Sequence, residues 1–221
     1  MHSTAQNLEF LKRSLPPGVK VVAVSKTKPP PVVMEAYDAG HRLFGENRVQ
    51  ELLSKKDLLP ADIEWHLIGH LQTNKVKYVS PFISMIESVD SYRLLSVIDR
   101  EAKKEGRITN CLLQLHIATE DTKFGFSQEE LELMLSDPGY EALGNIRICG
   151  LMGMATFTDD HTLVRREFRN LRTTYEGLKS GFFAGSSDFN ELSMGMSGDY
   201  MIAVEEGSTI VRVGSLIFGE R

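Results

Sequence analysis

The sequence predicts an α/β protein built as a single (β/α)8 TIM barrel, one domain over residues 1–221, beginning with a helix. Three observations carry this. Apolar, β-branched runs alternate with helix-period segments along the whole chain, the pattern of parallel strands joined by crossover helices. Eight strands and eight helices fit into 221 residues with no shift in composition to mark a linker. Neither GxGxxG nor GxxxxGK[ST] occurs, so the usual reason to prefer an open nucleotide-binding sheet is missing.

Each element has its own signal. Leu8, Leu11 and Leu15 fall three and four apart, predicting a helix from Ser3 to Leu15 that Pro16-Pro17-Gly18 stops. Strand one covers Val19 to Thr27; its run Val21-Val22-Ala23-Val24 has no polar alternation, as in a strand covered on both faces. A short helix follows Pro29 to Pro31 and ends at Gly40, and Arg42 to Asn47 reads as strand two. The alternation then continues through a helix at 49–59, a strand at 63–69, a helix at 73–79 and a strand at 83–89. Tyr92 to Lys104 is a helix closed by Gly106, followed by a strand at 111–118, a helix at 128–135 and a strand at 146–155. The last units are a helix at 161–178, strand seven at 189–196, a short helix at 199–206 and a final strand at 209–218.

Composition narrows the function classes. The net charge of -5, from 25 Lys plus Arg against 30 Asp plus Glu, argues against a nucleic-acid or anionic-membrane surface. The two cysteines, Cys111 and Cys149, lie in apolar runs and read as small buried hydrophobes; a reducing, cytoplasmic setting fits. Met1 to Ser14 carries Glu9, Lys12 and Arg13 and lacks the apolar core and small-residue cleavage site of a signal peptide, and no run is long enough to span a bilayer.

Chemistry in such a barrel collects where strands end. Lys26 emerges at the tip of strand one beside apolar neighbours that disfavour its charge, the environment of a Schiff-base lysine; a solvated or paired lysine is the commoner case. Met196-Ser197-Gly198-Asp199 and Arg212-Val213-Gly214-Ser215 close strands seven and eight, where small residues and hydroxyls suit a phosphate. Ordinary turn chemistry is the other reading, with Ser197 as a helix cap and Gly214 as a bulge. Arg212 lies two residues before Gly214 and so shares its face, toward the mouth and not in the core; it pairs with Glu46 or Glu191, or donates to a cofactor ring nitrogen. Asn47 holds a ligand hydroxyl or, as the commoner case, caps the helix beginning at Val49. His66 and His70 are four apart, about 13 Å on a strand, too far for a shared metal. Met152, Met154, Met194 and Met196 pack the core or form an apolar bed under a planar ring.

These residues, together with Ala23-Val24-Ser25-Lys26-Thr27-Lys28, Phe44-Gly45-Glu46-Asn47, Trp65-His66-Leu67-Ile68-Gly69, Gly150-Leu151-Met152, Leu192-Ser193-Met194-Gly195-Met196-Ser197 and Val211-Arg212-Val213-Gly214-Ser215, make the chain resemble the pyridoxal-phosphate homeostasis proteins. These are the small relatives of the amino-terminal barrel of alanine racemase. The resemblance runs almost end to end and implies that Lys26 holds pyridoxal 5'-phosphate as a Schiff base. It further implies that Ser197, Gly214 and Ser215 bind the phosphate, Arg212 faces the pyridine nitrogen, and Asn47 and Met196 line the ring. Two departures stand out: His116 where the family has asparagine, and Ser215 where it has threonine.

Racemases of this fold add a β-domain whose tyrosine supplies a second acid-base group, and this sequence ends at Arg221, with a loop tyrosine such as Tyr200 left to consider. The expectation is therefore a cytoplasmic, non-catalytic carrier or buffer of pyridoxal phosphate, monomeric, passing cofactor to pyridoxal-phosphate-dependent apoenzymes. The alternatives are a racemase of weak or narrow activity and a Schiff-base aldolase acting through Lys26.

Overall fold

The computed structural model of the protein describes residues 3–119 and 124–220. Among them, eight strands close into a barrel in chain order: β1 (Lys20–Val24), β2 (Leu43–Glu46), β3 (Glu64–Leu67), β4 (Met85–Val89), β5 (Thr109–Leu115), β6 (Ile146–Gly153), β7 (Glu191–Ser193) and β8 (Ile210–Val213). Every pairing is parallel, and β8 returns to β1 with Val21 opposite Val211 and Val22 opposite Arg212.

The helices are α1 (Thr4–Ser14), α2 (Pro30–Asp38), α3 (Val49–Lys56), α4 (Val76–Val79), α5 (Tyr92–Lys104), α6 (Gln128–Leu135), α7 (Pro138–Glu141), α8 (His161–Ser180), α9 (Tyr200–Glu205) and α10 (Ser215–Phe218), with a 3-10 turn, Thr73–Lys75, leading into α4. Local chemistry explains their starts. Ser3 and Ser127 form capping boxes with Gln6 and Glu130, Ser91 accepts from the Leu94 amide, and Asp160 accepts from the Thr162 and Leu163 amides. Pro30 opens α2 at a position where the missing N–H costs nothing.

Strand alternation sorts the buried side chains into two layers. Val22, Val24, Ile68, Met85, Leu112, Cys149, Met152 and Ile210 fill the barrel. Phe44, Trp65, Ile86, Leu113, Leu151 and Val211 point outward and pack with Leu52, Leu95, Ile98, Phe168 and Leu171 of the helices. Both cysteines are free and buried, and burial pushes both thiols up in pKa. Among the described residues no helix is long and apolar enough to cross a membrane.

The largest departures from expectation fall at the end of the chain. The final strand stops at Val213, and residues 215–218 turn into α10, with Ile217 fully buried and its carbonyl accepting from Asn7 of α1. The short apolar run Leu216-Ile217-Phe218 does not distinguish strand from buried helix, and packing on α1 decides it. Strand seven is shorter than predicted because Phe189 stacks on Tyr175 and Phe183 outside the sheet, while Gly195 turns the chain at φ 95°.

Candidate functional site

The mouth of the barrel gathers the expected residues from four adjacent strands. In β1, Val22 and Val24 face inward, so Lys26, two residues on, rises over the barrel with the same parity. Val24 pairs with Gly45, and the same step of two brings Asn47 to the position beside Lys26. Lys26 is half-buried and makes no hydrogen bond or ion pair with any described residue.

β7 and β8 supply the next wall. The Gly214 amide donates to Ser197 Oγ at 3.3 Å, joining the two segments expected to bind phosphate. A Cβ on Gly214 would lie 3.0 Å from the Val24 carbonyl oxygen, so the missing side chain lets this turn approach the end of β1. Ser215 is exposed just beyond it. Met196 is half-buried at the same rim, and its amide donates to Asp199 Oδ1.

Several of the alternative readings fail against these contacts. Ser197 does not cap α9, whose N-cap position is Asp199. Asn47 does not cap α3; its N-cap position is Arg48, and no side chain bonds there. Asn47 instead lies against Gly69, where a Cβ would come within 2.4 Å of the Asn47 carbonyl oxygen. The methionines divide: Met152 and Met154 face the barrel interior, while Met194 belongs to the outer, helix-facing layer.

Arg212 faces inward as expected, but it is 4% exposed and sits within the barrel, not at an open rim. Its partners are neither Glu46, which bonds Lys55, nor Glu191, which bonds Lys20. Nη1 donates to Ser193 Oγ at 2.6 Å, Nη2 to the Gly153 carbonyl at 2.9 Å, and Glu87 Oε2 lies 3.9 Å away. Glu87 in turn bonds His66 Nδ1 at 2.6 Å and accepts from the Ser193 hydroxyl. Burial pushes the Glu87 carboxyl up most strongly, yet the His66 bond and charge, with Arg212 and Ser193, outweigh it and hold the group below its ordinary value. Burial lowers Arg212, against the pull of Glu87 and Asp199. Nε of Arg212 makes no hydrogen bond to any described residue.

The sequence readings discounted a metal at His66 and gave no role to Glu87 or Ser193. A signal existed: a glutamate inside the otherwise apolar run of β4 demands a buried partner. His70 pairs separately with Asp90 at 2.8 Å and stacks on Phe124, with ring centroids 4.0 Å apart. His116 is exposed, and its amide donates to Phe126 O.

Comparison with known proteins extends this geometry. The family described as "Alanine racemase, N-terminal domain" matches residues 1–221. The pyridoxal phosphate homeostasis protein of Aquifex aeolicus is 40% identical over 204 residues, covering 91% of this chain and 87% of that one. Its counterpart in Synechocystis is 40% identical over 213 residues and 94% of each chain. The chain belongs to the pyridoxal phosphate homeostasis proteins, within the alanine racemase N-terminal domain family. Among solved structures of this family, PipY of Synechococcus elongatus with pyridoxal phosphate bound superposes with a TM-score of 0.88 at 38% identity, covering 98% of this chain and 100% of that one. Alanine racemase of Clostridium difficile shares the fold at a TM-score of 0.77 and 14% identity, over 99% of this chain and 56% of its own.

Proposed function

We propose that this chain holds pyridoxal 5'-phosphate at the barrel mouth through a Schiff base on Lys26. In this reading it serves cofactor homeostasis as a carrier or buffer without catalytic turnover. The observation that carries it is Lys26 itself, a half-buried lysine beyond the tip of β1 with no hydrogen-bond or ion-pair partner among the described residues, on the strand end that the Gly214 turn approaches. The Lys26 amine condenses with an aldehyde: a C=N bond replaces C=O, and the carbonyl oxygen leaves as water with the two amine protons.

The surrounding residues fit the cofactor. Ser197 and Ser215 supply hydroxyls and Gly214 an amide for a phosphate; Arg212 has its Nε–H unspent for a pyridine nitrogen; Asn47 and Met196 flank the ring position. When bound, pyridoxal phosphate supplies an electrophilic aldehyde and an electron-accepting ring. Arg212, which stays charged and donates, does not protonate the ring nitrogen, so the ring is held as a poor electron sink. PipY, at 38% identity, was solved with pyridoxal phosphate bound, and the relatives at 40% identity are named for its homeostasis. Tyr200, one tyrosine that a racemase reading could draw on, packs against the outer core next to Gly195.

The same reading makes residues 1–221 one domain, monomeric and cytoplasmic, with pyridoxal-phosphate-dependent apoenzymes as recipients. Borohydride reduction of the loaded protein followed by peptide mass analysis tests it. A pyridoxyl group confined to the Lys26 peptide is expected, and label spread over surface lysines would refute it.

A further inference from the structure

Lys55 lies on the last turn of α3, a position usually exposed, yet it is 4% exposed and wedged between the helix and the outer wall of the barrel. Its ammonium spends its hydrogen bonds on three acceptors: Ser25 O at 2.8 Å, Glu46 Oε1 at 2.7 Å and Glu51 Oε1 at 2.7 Å. The two carboxylates complete a clamp. Glu46 Oε1 also accepts from Ser25 Oγ at 2.6 Å, and Glu51 Oε1 accepts from the Thr27 amide. Ser25 and Thr27 are the residues on either side of Lys26. Thr27 stands at φ 66°, a left-handed conformation that costs a β-branched residue free energy and persists where its surroundings impose it.

From this geometry we infer that Lys55, acting with Glu46 and Glu51, is the positioning residue for Lys26. The inference rests on the cofactor reading above. Glu46 and Ser25 point away from the barrel interior, so the clamp touches neither ring nor phosphate; it fixes the backbone from which the reacting amine springs. Among the described residues Glu46 Oε2 is buried with no hydrogen-bond partner, and Lys55 Nζ, 2.7 Å from Oε1, is the cation paired with this side chain. Misplacement of a reacting group by about 1 Å is enough to slow its reaction by about 100-fold.

The test compares wild type, Lys55→Met, Glu51→Ala and Glu51→Gln with two ligands. Pyridoxal 5'-phosphate reports condensation with Lys26 through its visible absorption band. Pyridoxamine 5'-phosphate, which has no aldehyde, reports the phosphate and ring contacts alone by equilibrium dialysis. Lys55→Met and Glu51→Ala should slow condensation by about 10- to 100-fold while pyridoxamine phosphate affinity stays within about threefold. Glu51→Gln, which keeps an acceptor for the Thr27 amide, should recover most of the rate. Amide hydrogen exchange of the ligand-free variants should rise at Thr27 and Lys28 and stay unchanged in β5 and β6. Since Glu51 is partly exposed, Glu51→Ala keeps the test open if Lys55→Met does not fold. Unchanged condensation in folded variants, or equal weakening of both ligands, overturns the positioning role. Wild-type protein that takes up neither ligand overturns the cofactor reading itself, and this inference with it.

Discussion

Arg212 Nη1 donates to Ser193 Oγ at 2.6 Å, and the same hydroxyl donates to Glu87, so a guanidinium and a carboxylate deep in the barrel share one serine. Replacing Arg212 by Met leaves Glu87, wholly buried, with its His66 and Ser193 hydrogen bonds but without the guanidinium charge. The expected cost is about 3–5 kcal/mol in urea unfolding, against about 1–3 kcal/mol for Ser193→Ala. Because the Glu87 value is depressed in the fold, its contribution is complete above the usual 4.5 and is lost as pH falls through the folded value; Arg212→Met should flatten that acid limb. An Arg212→Met protein as stable as the parent would mean that the buried pair carries nothing.

Ser197 and Gly214 predict a graded loss of cofactor. Ser197→Ala removes one hydroxyl at the rim and should weaken pyridoxal phosphate retention by about tenfold with little change in melting temperature. Gly214→Val must push against the Val24 carbonyl, 3.0 Å from where its Cβ would stand, and should weaken retention further. Equilibrium dialysis of both variants decides, and unchanged affinity in the pair would remove the phosphate from this turn.

Gly69→Ala places a Cβ 2.4 Å from the Asn47 carbonyl oxygen, a backbone atom with no rotamer to escape into. Destabilisation by about 2 kcal/mol or more is expected in denaturant unfolding, together with displacement of Asn47. A neutral result would show that β2 and β3 separate freely at the mouth.

At the opposite end of the barrel, His41 is buried and its Nε2 meets the Leu43 carbonyl at 2.8 Å. Burial, then the nearby Lys12 and Arg42 charges, lower its pKa from 6.5 to about 4. A histidine depressed in this way favours the fold fully above its unfolded value and loses that stability as pH falls toward 4. The loss amounts to about 3 kcal/mol. Denaturant midpoints followed across this range should drop in the parent and stay flatter in His41→Asn; parallel curves would contradict the assignment.

The barrel was legible because period and punctuation agree: apolar runs such as Val21 to Val24 are separated by capped helices such as Ser91 to Lys104, and each cue is local. Lys26 and Asn47 followed from strand ends once the barrel was assumed, and the shared face of Arg212 and Gly214 followed from parity along their strand. The pairings that stiffen the site were not legible. Arg212 meets Glu87 and Ser193 across the barrel, and Lys55 reaches Glu46 only after α3 packs back on β2; neither contact leaves a spacing in the chain. The helix at Ser215–Phe218 escaped for a related reason, since burial against α1 and not propensity decides its form.

The most direct test of the central claim is the visible absorption spectrum of the protein with pyridoxal 5'-phosphate, before and after borohydride, beside Lys26→Ala. A yellow band that borohydride bleaches in the parent and that is absent from the variant is the predicted result. A parent without the band, or a Lys26→Ala protein that keeps it, would contradict the account.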